Sequence, residues 1–237
     1  MDDGSEQGLL RRLWLRSCRF NLTRRRPSRA SLDRFVSEYA TDGEALVVHS
    51  VDIDRRRHFP NATTITSRRN QPADVHTDPA YGDLAGFPAE SYDLVVCTGL
   101  LEHLADPERL VAQLHRILRP GGKLIVSASA VFPFHGAPDN YFHFTPYGLR
   151  HLFREWSGFR TLRGSSQPYT TTAILLQRIN LQCDVLAPVR LFNELLIHLL
   201  PRLDRAVLRQ YDTMARRDAA AVTDTAMPAA LHAVVIR

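Results

Sequence analysis

Lysine is almost absent from this chain of 237 residues, because Lys123 is the only lysine among 30 basic residues. This scarcity excludes most chemistry that depends on a lysine amine. The remaining basic residues are arginines, a bias that is typical of a GC-rich coding sequence, and the net charge is +5. Nine arginines but only four acidic residues fall within residues 1–34. Such a basic segment can touch anionic lipid or nucleic acid, but it is more often a solvated face, and no nucleic-acid partner is expected.

Cysteines and long apolar runs are also scarce. The three cysteines, Cys18, Cys97 and Cys183, are far apart, so they define neither a disulfide framework nor a zinc-binding spacing. Buried or neutral thiols of this kind fit a reducing compartment. No apolar run approaches the roughly 20 residues that span a bilayer, and arginines interrupt the apolar residues near the start, unlike a signal peptide. We therefore expect a cytoplasmic protein without a transmembrane segment.

The first 40 residues predict a basic helical extension in two parts. Residues 5–20 have the alternation of leucine and arginine that is typical of an amphipathic helix. After a polar, proline-containing connector, residues 31–40 predict a second short helix with Ser31 as its N-cap. We assign 1–40 to this extension and 41–237 to one domain.

Short apolar and β-branched segments then alternate with helical spacing, which predicts an α/β domain with a mostly parallel sheet covered on both faces. Helices are predicted over residues 106–118 and 145–156. The predicted strands are 45–48, 62–66, 73–77, 92–97, 123–130, 158–163 and 231–236.

An insertion of about residues 171–212 separates the last two predicted strands. Helical apolar spacing over residues 171–182 and 188–212 predicts two helices. Apolar side chains at this spacing are usually core residues, which is the interpretation we favour. The alternative is that the stripe contacts a membrane or a partner protein. The stripe contains Leu191, Leu195, Leu199, Leu203 and Leu208.

The strongest chemical signal is the segment SYDLVVCTGLLEHL over residues 91–104. An apolar strand runs into a loop of small residues, and Asp106 and Pro107 then predict a helix start, because Asp caps helices and Pro fits their first turn. The sequence RPGG at 119–122 predicts a tight turn before the next strand. Ligands of open α/β sheets sit beyond the C-terminal ends of strands. The residues after this strand, Thr98, Gly99 and Leu100, are therefore predicted to line a binding mouth.

This block resembles class I S-adenosylmethionine-dependent methyltransferases of the type 11 kind, through Y-D-L-V, L-E-H-L-x-D-P and L-R-P-G-G. The segment VFPFHGAPDNYFHFTPYGLR over 131–150 resembles the region after the fifth strand in a subgroup associated with glycan, cell-envelope or secondary-metabolite pathways. The resemblance covers residues 40–165. It implies a Rossmann-like sheet of seven strands, S-adenosylmethionine as cofactor, and methyl transfer to a small molecule such as a sugar or natural-product intermediate.

The positions that hold the cofactor in this family are altered here. The first strand of the family ends in an acid, followed by a G-x-G loop whose glycines let the cofactor approach the backbone. In this sequence Val47 stands at the acid, and His49 and Val51 stand at the glycines. The second strand should end in an acid for the ribose hydroxyls, but Ser67 and Arg68 occupy that place.

Other side chains are candidates to replace these contacts. Asp52 or Asp54 follows the altered loop, and the resemblance places Asp78 or Asp83 at the acid that caps the adenine. The predicted cofactor-binding residues are Ser50, Asp52, Asp78, Asp83, Thr98, Gly99 and Leu100. Either the cofactor binds in an unusual way, or the fold no longer uses it. The second case leaves two possibilities: an inactive subunit that supports a partner enzyme, or an enzyme with chemistry other than methyl transfer.

The predicted catalytic residues are His135, His143 and Tyr141, because their segment should cover the mouth and histidine can take a proton near neutral pH. The family pattern has a histidine at His135. His143 stands where the pattern usually has arginine, which removes a fixed cation. Glu102 with the next residue, His103, is a possible acid/base pair, but in the family this pair mainly shapes the loop.

Two further chemistries receive less weight. A metal site built from His49, Asp52, Asp54 and His58 is conceivable, but a polar surface turn explains these residues better, so no metal is predicted. Cys97 could be a nucleophile, but a cysteine within an apolar strand is usually core packing.

Overall fold

The computed structural model of the chain describes residues 27–50, 55–66, 73–77, 84–136, 139–212, 217–218 and 223–237. The predicted helix over 5–20 lies outside these residues. So do several predicted cofactor positions, namely Val51, Asp52, Asp54, Ser67, Arg68, Asp78 and Asp83.

Seven of the strands form one sheet, as the sequence predicts. The strands are β1 (Leu46–Ser50), β2 (Thr63–Thr66), β3 (Val75–His76), β4 (Tyr92–Thr98), β5 (Leu118–Ser129), β6 (Gly158–Gly164), β7 (Tyr211–Asp212), β8 (Arg217–Asp218) and β9 (Ala230–Ile236). The sheet order is β3-β2-β1-β4-β5-β9-β6, while β7 and β8 pair separately. Strands β1 to β5 pair in parallel, and β9 is antiparallel to both of its neighbours. This confirms the predicted α/β, Rossmann-like and mostly parallel architecture.

Helices cover both faces of this sheet. They are α1 (Pro27–Ser37), α2 (Arg55–His58), α3 (Pro107–Ile117), α4 (Pro146–Leu152), α5 (Pro168–Gln182) and α6 (Ala187–Leu203). On one face, side chains such as Val95 and Cys97 pack with the apolar stripe of α3. On the other face, Val47 and Val96 pack with Phe35 of α1. Successive strand residues thus enter opposite layers, as expected for a sheet that is buried on both sides.

The helix between β4 and β5 begins and ends close to where the sequence predicts. The Asp106 side chain accepts a hydrogen bond from the Arg109 N–H at 3.2 Å, and Pro107 occupies the first turn. Gly121, with φ of 77°, belongs to an irregular start of β5, where the register shifts between Tyr92 and Leu94 of β4. The predicted turn at 119–122 is therefore part of the strand.

Several predicted helix boundaries are wrong. The helix predicted over 31–40 begins at Pro27, because proline suits a first helical turn, so Ser31 is not a cap. The helix predicted over 145–156 ends at Leu152, since Phe153 to Trp156 form a turn. The helix predicted over 188–212 ends at Leu203 and gives way to a 3-10 turn and then β7.

The prediction that the stripe of the insertion is core is also wrong. The leucines at positions 191, 195, 199, 203 and 208 are exposed. The physical reason is that α6 packs on α5 through its opposite, polar side, where Arg190, Asn193 and Glu194 are buried. None of the helices in the described part of the chain is long and apolar enough to cross a membrane.

Candidate functional site

The candidate site lies where three neighbouring strands end. Thr98, the last residue of β4, pairs with Ser50 of β1 on one side and Ser127 of β5 on the other. The next N–H, that of Gly99, donates a hydrogen bond to Ser127 Oγ at 3.0 Å. Because the carboxyl ends of these parallel strands meet here, this edge is the expected ligand position of an open α/β sheet.

The described residues at this edge leave polar groups and space for a ligand. The Thr98 hydroxyl is buried, and its Oγ1 has no hydrogen-bond partner among the described residues. Gly99 has φ of 62°, and apart from its two chain neighbours no described residue has a heavy atom within 4 Å of the place where its Cβ would stand. Buried polar groups usually have a partner. Thr98 and Gly99 therefore fit a polar ligand that approaches the end of β4.

Glu102 is a buried carboxylate beside this edge, in the 3-10 turn Leu101–His103. Its Oε1 accepts a hydrogen bond from Ser129 Oγ at 2.8 Å, while its Oε2 has no partner in the described part of the chain. The Glu102 backbone carbonyl accepts hydrogen bonds from the N–H groups of Tyr141 (2.8 Å) and Phe142 (3.2 Å). These bonds hold the segment after β5 against the turn after β4.

His135 faces the Glu102 carboxylate. The distance from His135 Nε2 to Glu102 Oε1 is 3.9 Å, and the histidine side chain is 22% exposed. His135 Nδ1 lies 3.2 Å from the Pro133 carbonyl oxygen, which can only accept, so Nδ1 carries the proton and Nε2 a lone pair. Burial lowers the pKa of His135 from 6.5, although the Pro133 carbonyl and Glu102 oppose this shift. At neutral pH the ring is therefore uncharged and able to take a proton.

His103 completes the cluster. Its ring packs edge to face on His135 with centroids 4.9 Å apart, and its Nδ1 is hydrogen-bonded to the Asp139 carbonyl. Gly136 must be glycine, because its φ is 71° and an added Cβ would stand 2.8 Å from His103 Cε1. Glu102, His103 and His135 also place one possible ligand atom each within 4.8 Å of one another. The same three side chains can thus hold a divalent cation.

The other predicted catalytic residues lie on the same segment as His135 but are more exposed. The Tyr141 side chain is 53% exposed, and His143 is exposed as well. The sequence left Glu102 and His103 as a possible acid/base pair but favoured a structural role for them. The sequence feature that could have indicated their role is their position shortly after β4, the most strongly predicted strand.

The structure also shows the surroundings of three residues for which the sequence suggested other roles. His58 is buried, and its Nε2 lies 2.7 Å from Asp33 Oδ1 of α1. It is therefore not part of a polar surface turn, and this nitrogen is not available to a metal site with His49, Asp52 and Asp54. Val47 is buried against α1, which explains why an apolar residue stands there. Burial raises the pKa of the Cys97 thiol to about 12, which excludes a thiolate nucleophile at neutral pH.

The methyltransferase domain family matches residues 32–184 of this chain. Since that match spans more than half of the sequence, the chain belongs to the methyltransferase domain family. Enzymes of this class depend on S-adenosylmethionine, and this cofactor is the methyl donor expected at the strand ends described above.

Similarity to curated sequences is confined to a short block. The chain is 44% identical over 45 residues to a ubiquinone biosynthesis O-methyltransferase of Xanthomonas oryzae pv. oryzae (strain PXO99A), which is 19% of each chain. It is 41% identical over 39 residues to the Coxiella burnetii (strain Dugway 5J108-111) protein of the same name, or 16% of this chain and 17% of that one. The chain thus matches about a fifth of the length of these relatives.

Solved structures share the fold at low identity. The Burkholderia thailandensis 1,6-didemethyltoxoflavin-N1-methyltransferase, solved with bound 1,6-didemethyltoxoflavin and S-adenosylhomocysteine, aligns with a TM-score of 0.51 at 13% identity, over 99% of this chain and 89% of that one. The [4+2]-cyclase SpnF aligns with a TM-score of 0.50 at 14% identity, over 89% of this chain and 80% of that one. The Haloferax volcanii protein solved in complex with the Trm112 methyltransferase activator aligns with a TM-score of 0.50 at 12% identity, over 98% of this chain and 92% of that one.

Proposed function

We propose that this methyltransferase transfers the methyl group of S-adenosylmethionine to a hydroxyl oxygen of a small molecule, such as a sugar or a natural-product intermediate. The observation that carries the proposal is the neutral His135 ring beside the buried Glu102 carboxylate. A hydroxyl is a poor nucleophile until a base removes its proton, and a histidine whose pKa lies below neutrality suits that task.

The ends of β1 and β4 are the proposed position of the cofactor. S-adenosylmethionine supplies an activated methyl group on a sulfonium. Thr98, with its unpartnered buried hydroxyl, and Gly99, with open space beyond it, are proposed to contact it, together with Leu100. Ser50 pairs with Thr98 through the backbone and is proposed as another contact of the cofactor. Asp52, Asp78 and Asp83 are proposed as its remaining contacts.

His135 and Glu102 are proposed to handle the acceptor proton. His135 Nε2 takes the proton from the acceptor hydroxyl while the acceptor oxygen bonds to the methyl carbon. S-adenosylmethionine would supply the methyl group and would leave as S-adenosylhomocysteine. Glu102, 3.9 Å away, stabilises the positive charge that the ring gains. Tyr141 and His143 lie on the segment tied to Glu102 and are proposed to contact and orient the acceptor.

The test compares wild type with His135→Gln, which keeps a polar side chain but removes the base. Labelled methyl transfer is measured on a panel of sugars and phenols, and S-adenosylhomocysteine affinity is measured by calorimetry. We expect transfer to fall by about 10²- to 10⁴-fold with cofactor affinity unchanged. Equal turnover by both proteins, or transfer only to amines, would contradict the proposal.

A further inference from the structure

Helix α6 meets α5 through polar side chains. Arg190 is fully buried and donates through Nη1 to the Asn180 carbonyl at 2.6 Å and through Nη2 to the Cys183 carbonyl at 3.0 Å. Asn180 Nδ2 donates to Glu194 Oε1, and Asn193 Nδ2 donates to Asn180 Oδ1, both at 2.9 Å. The buried side of α6 is therefore a connected hydrogen-bond network.

The opposite side of α6 is apolar and exposed. We define the outer face of α6 as Val189, Leu191, Phe192, Leu195, Leu199 and Leu203, each of which is between 45% and 58% exposed. Beyond the helix, Leu208 is 96% exposed. A surface helix normally buries its apolar side and exposes its polar side, and here the arrangement is reversed. Contiguous exposed apolar surface of this kind marks an interaction site.

Within residues 187–210 the exposed ionisable side chains are arginines and one histidine, although an exposed acid, Asp184, precedes α6. No acidic residue is among the exposed residues of α6, whose exposed ionisable side chains are His198 and Arg202. Two more exposed arginines, Arg205 and Arg209, flank Leu208. Apolar side chains bordered by arginines are typical of helices that lie in the interface of an anionic bilayer.

The width of the outer face also favours a lipid surface. At about 100° per residue, its six side chains span an arc of about 160°. The seam between two paired helices is narrower, with about two positions in seven. Helix α6 has 17 residues and is not long and apolar enough to cross a membrane. Its broad apolar arc is therefore best covered when the helix lies flat on the bilayer surface.

The α5–α6 pair is joined to the segment that covers the site. Gln182 Nε2 at the end of α5 donates a hydrogen bond to the Phe134 carbonyl at 2.6 Å. The Arg178 guanidinium lies 4.4 Å from the Phe132 ring centroid. The Phe134 side chain is 80% exposed. A surface that holds α6 would thus lie near this aromatic segment.

We propose that the outer face of α6, with Arg202, Arg205 and Arg209, docks this enzyme on the surface of an anionic lipid bilayer. The apolar side chains enter the boundary between headgroups and acyl chains, and the arginines pair with lipid phosphates. This docking is separate from the methyl transfer proposed above.

Vesicle sedimentation of the full chain tests the proposal. The probes are vesicles of phosphatidylglycerol with phosphatidylcholine, and vesicles of phosphatidylcholine alone. We expect wild type to bind the anionic vesicles. The double variant Leu195→Glu/Leu199→Glu should bind them at least about tenfold more weakly. Met227→Glu, which changes another exposed apolar side chain (42% exposed), should bind like wild type. No binding by wild type, or equal binding by the double variant, overturns the proposal.

Two further measurements separate the outcomes. Arg202→Gln/Arg205→Gln should weaken binding to the anionic vesicles only, and added salt should do the same. Light scattering in solution should give a monomer of 26.9 kDa for every variant. A wild-type dimer that the Leu195→Glu/Leu199→Glu change dissociates would show that a second copy covers the face, and would overturn the membrane proposal. S-adenosylhomocysteine affinity should be equal in all variants, so that failure of docking and failure of methyl transfer are distinguishable.

Discussion

Glu102 Oε1 lies 3.9 Å from His135 Nε2 and accepts a hydrogen bond from Ser129 Oγ at 2.8 Å. The carboxylate is buried, and the histidine is half-buried and uncharged at neutral pH, because burial lowers its pKa. A proton that reaches the ring from an acceptor would therefore create an ion pair with a carboxylate already held in place. Fixed charge that meets developing charge is an effective form of catalysis.

The Glu102→Gln variant should change the pH dependence of the reaction as well as its rate. The base must be uncharged, so kcat/KM of wild type should fall as pH drops through the lowered pKa of His135 and level off above it. Since the Glu102 carboxylate raises this pKa, opposing burial, His103 and Arg178, its removal should move the acidic limb to lower pH. Glu108→Gln, at an exposed carboxylate, is the control. A slower enzyme with an unshifted limb would show that Glu102 acts only on structure.

Removal of metal ions should leave the activity intact. In the proposed mechanism His135 and Glu102 handle a proton without a metal ion, although ligand atoms of Glu102, His103 and His135 lie within 4.8 Å of one another. Dialysis against a chelator should therefore change the initial rate by less than about twofold, and excess zinc should inhibit by binding the base. Loss of activity on chelation, restored by a divalent cation, would assign the cluster to a metal.

Cys97 should not react with thiol reagents in the folded protein. Its side chain is fully buried, and burial raises its pKa to about 12, whereas Cys183 is exposed. In a Cys18→Ser background, a disulfide reagent should modify Cys183 at once and Cys97 only after denaturation. Rapid modification of Cys97 under native conditions would reopen its role as a nucleophile.

Acid should destabilise the fold through His232. Burial lowers the pKa of this β9 histidine from 6.5 to about 4, so the unfolded chain binds more protons between these values. The neutral ring adds about 3 kcal/mol to the free energy of unfolding above pH 6.5. This contribution is lost progressively as pH falls toward 4.

Chemical denaturation at a series of pH values measures this effect. His232→Leu should lack that part of the pH dependence, whereas His151→Gln, at an exposed histidine, should keep it. The same slope in the His232 variant and wild type would show that other groups titrate instead.

The fold was predictable wherever local signals and packing agree. The block from β4 to β5 carries an apolar strand, the Asp106 cap and Pro107, and each acts within a few residues. The helix predicted over 188–212 ran too far, because nothing local marks its end at Leu203. That end coincides with Asp204, whose carboxylate accepts hydrogen bonds from the N–H groups of Tyr169 and Thr170 across the fold.

The candidate site was only partly predictable, because its geometry depends on residues far apart in the chain. His135 was predicted from its segment and Glu102 was named as a possible acid/base residue, but their pairing was not predicted, since the carboxylate is held by Ser129 in the neighbouring strand. The outer face of α6 was predicted as core for a similar reason. Helical spacing shows that a helix has two sides, but only the contacts of Asn180 with Asn193 and Glu194 show which side is buried.

Calorimetric titration with S-adenosylhomocysteine is the decisive measurement of whether this chain binds its cofactor, because Val47, His49 and Val51 alter the family's cofactor loop. We expect saturable binding at one site per chain, weakened in Thr98→Val, which keeps the shape of the side chain but removes a buried hydroxyl that has no partner among the described residues. Absence of heat and of any thermal shift up to about 1 mM ligand would contradict the claim that this chain is an S-adenosylmethionine-dependent methyltransferase.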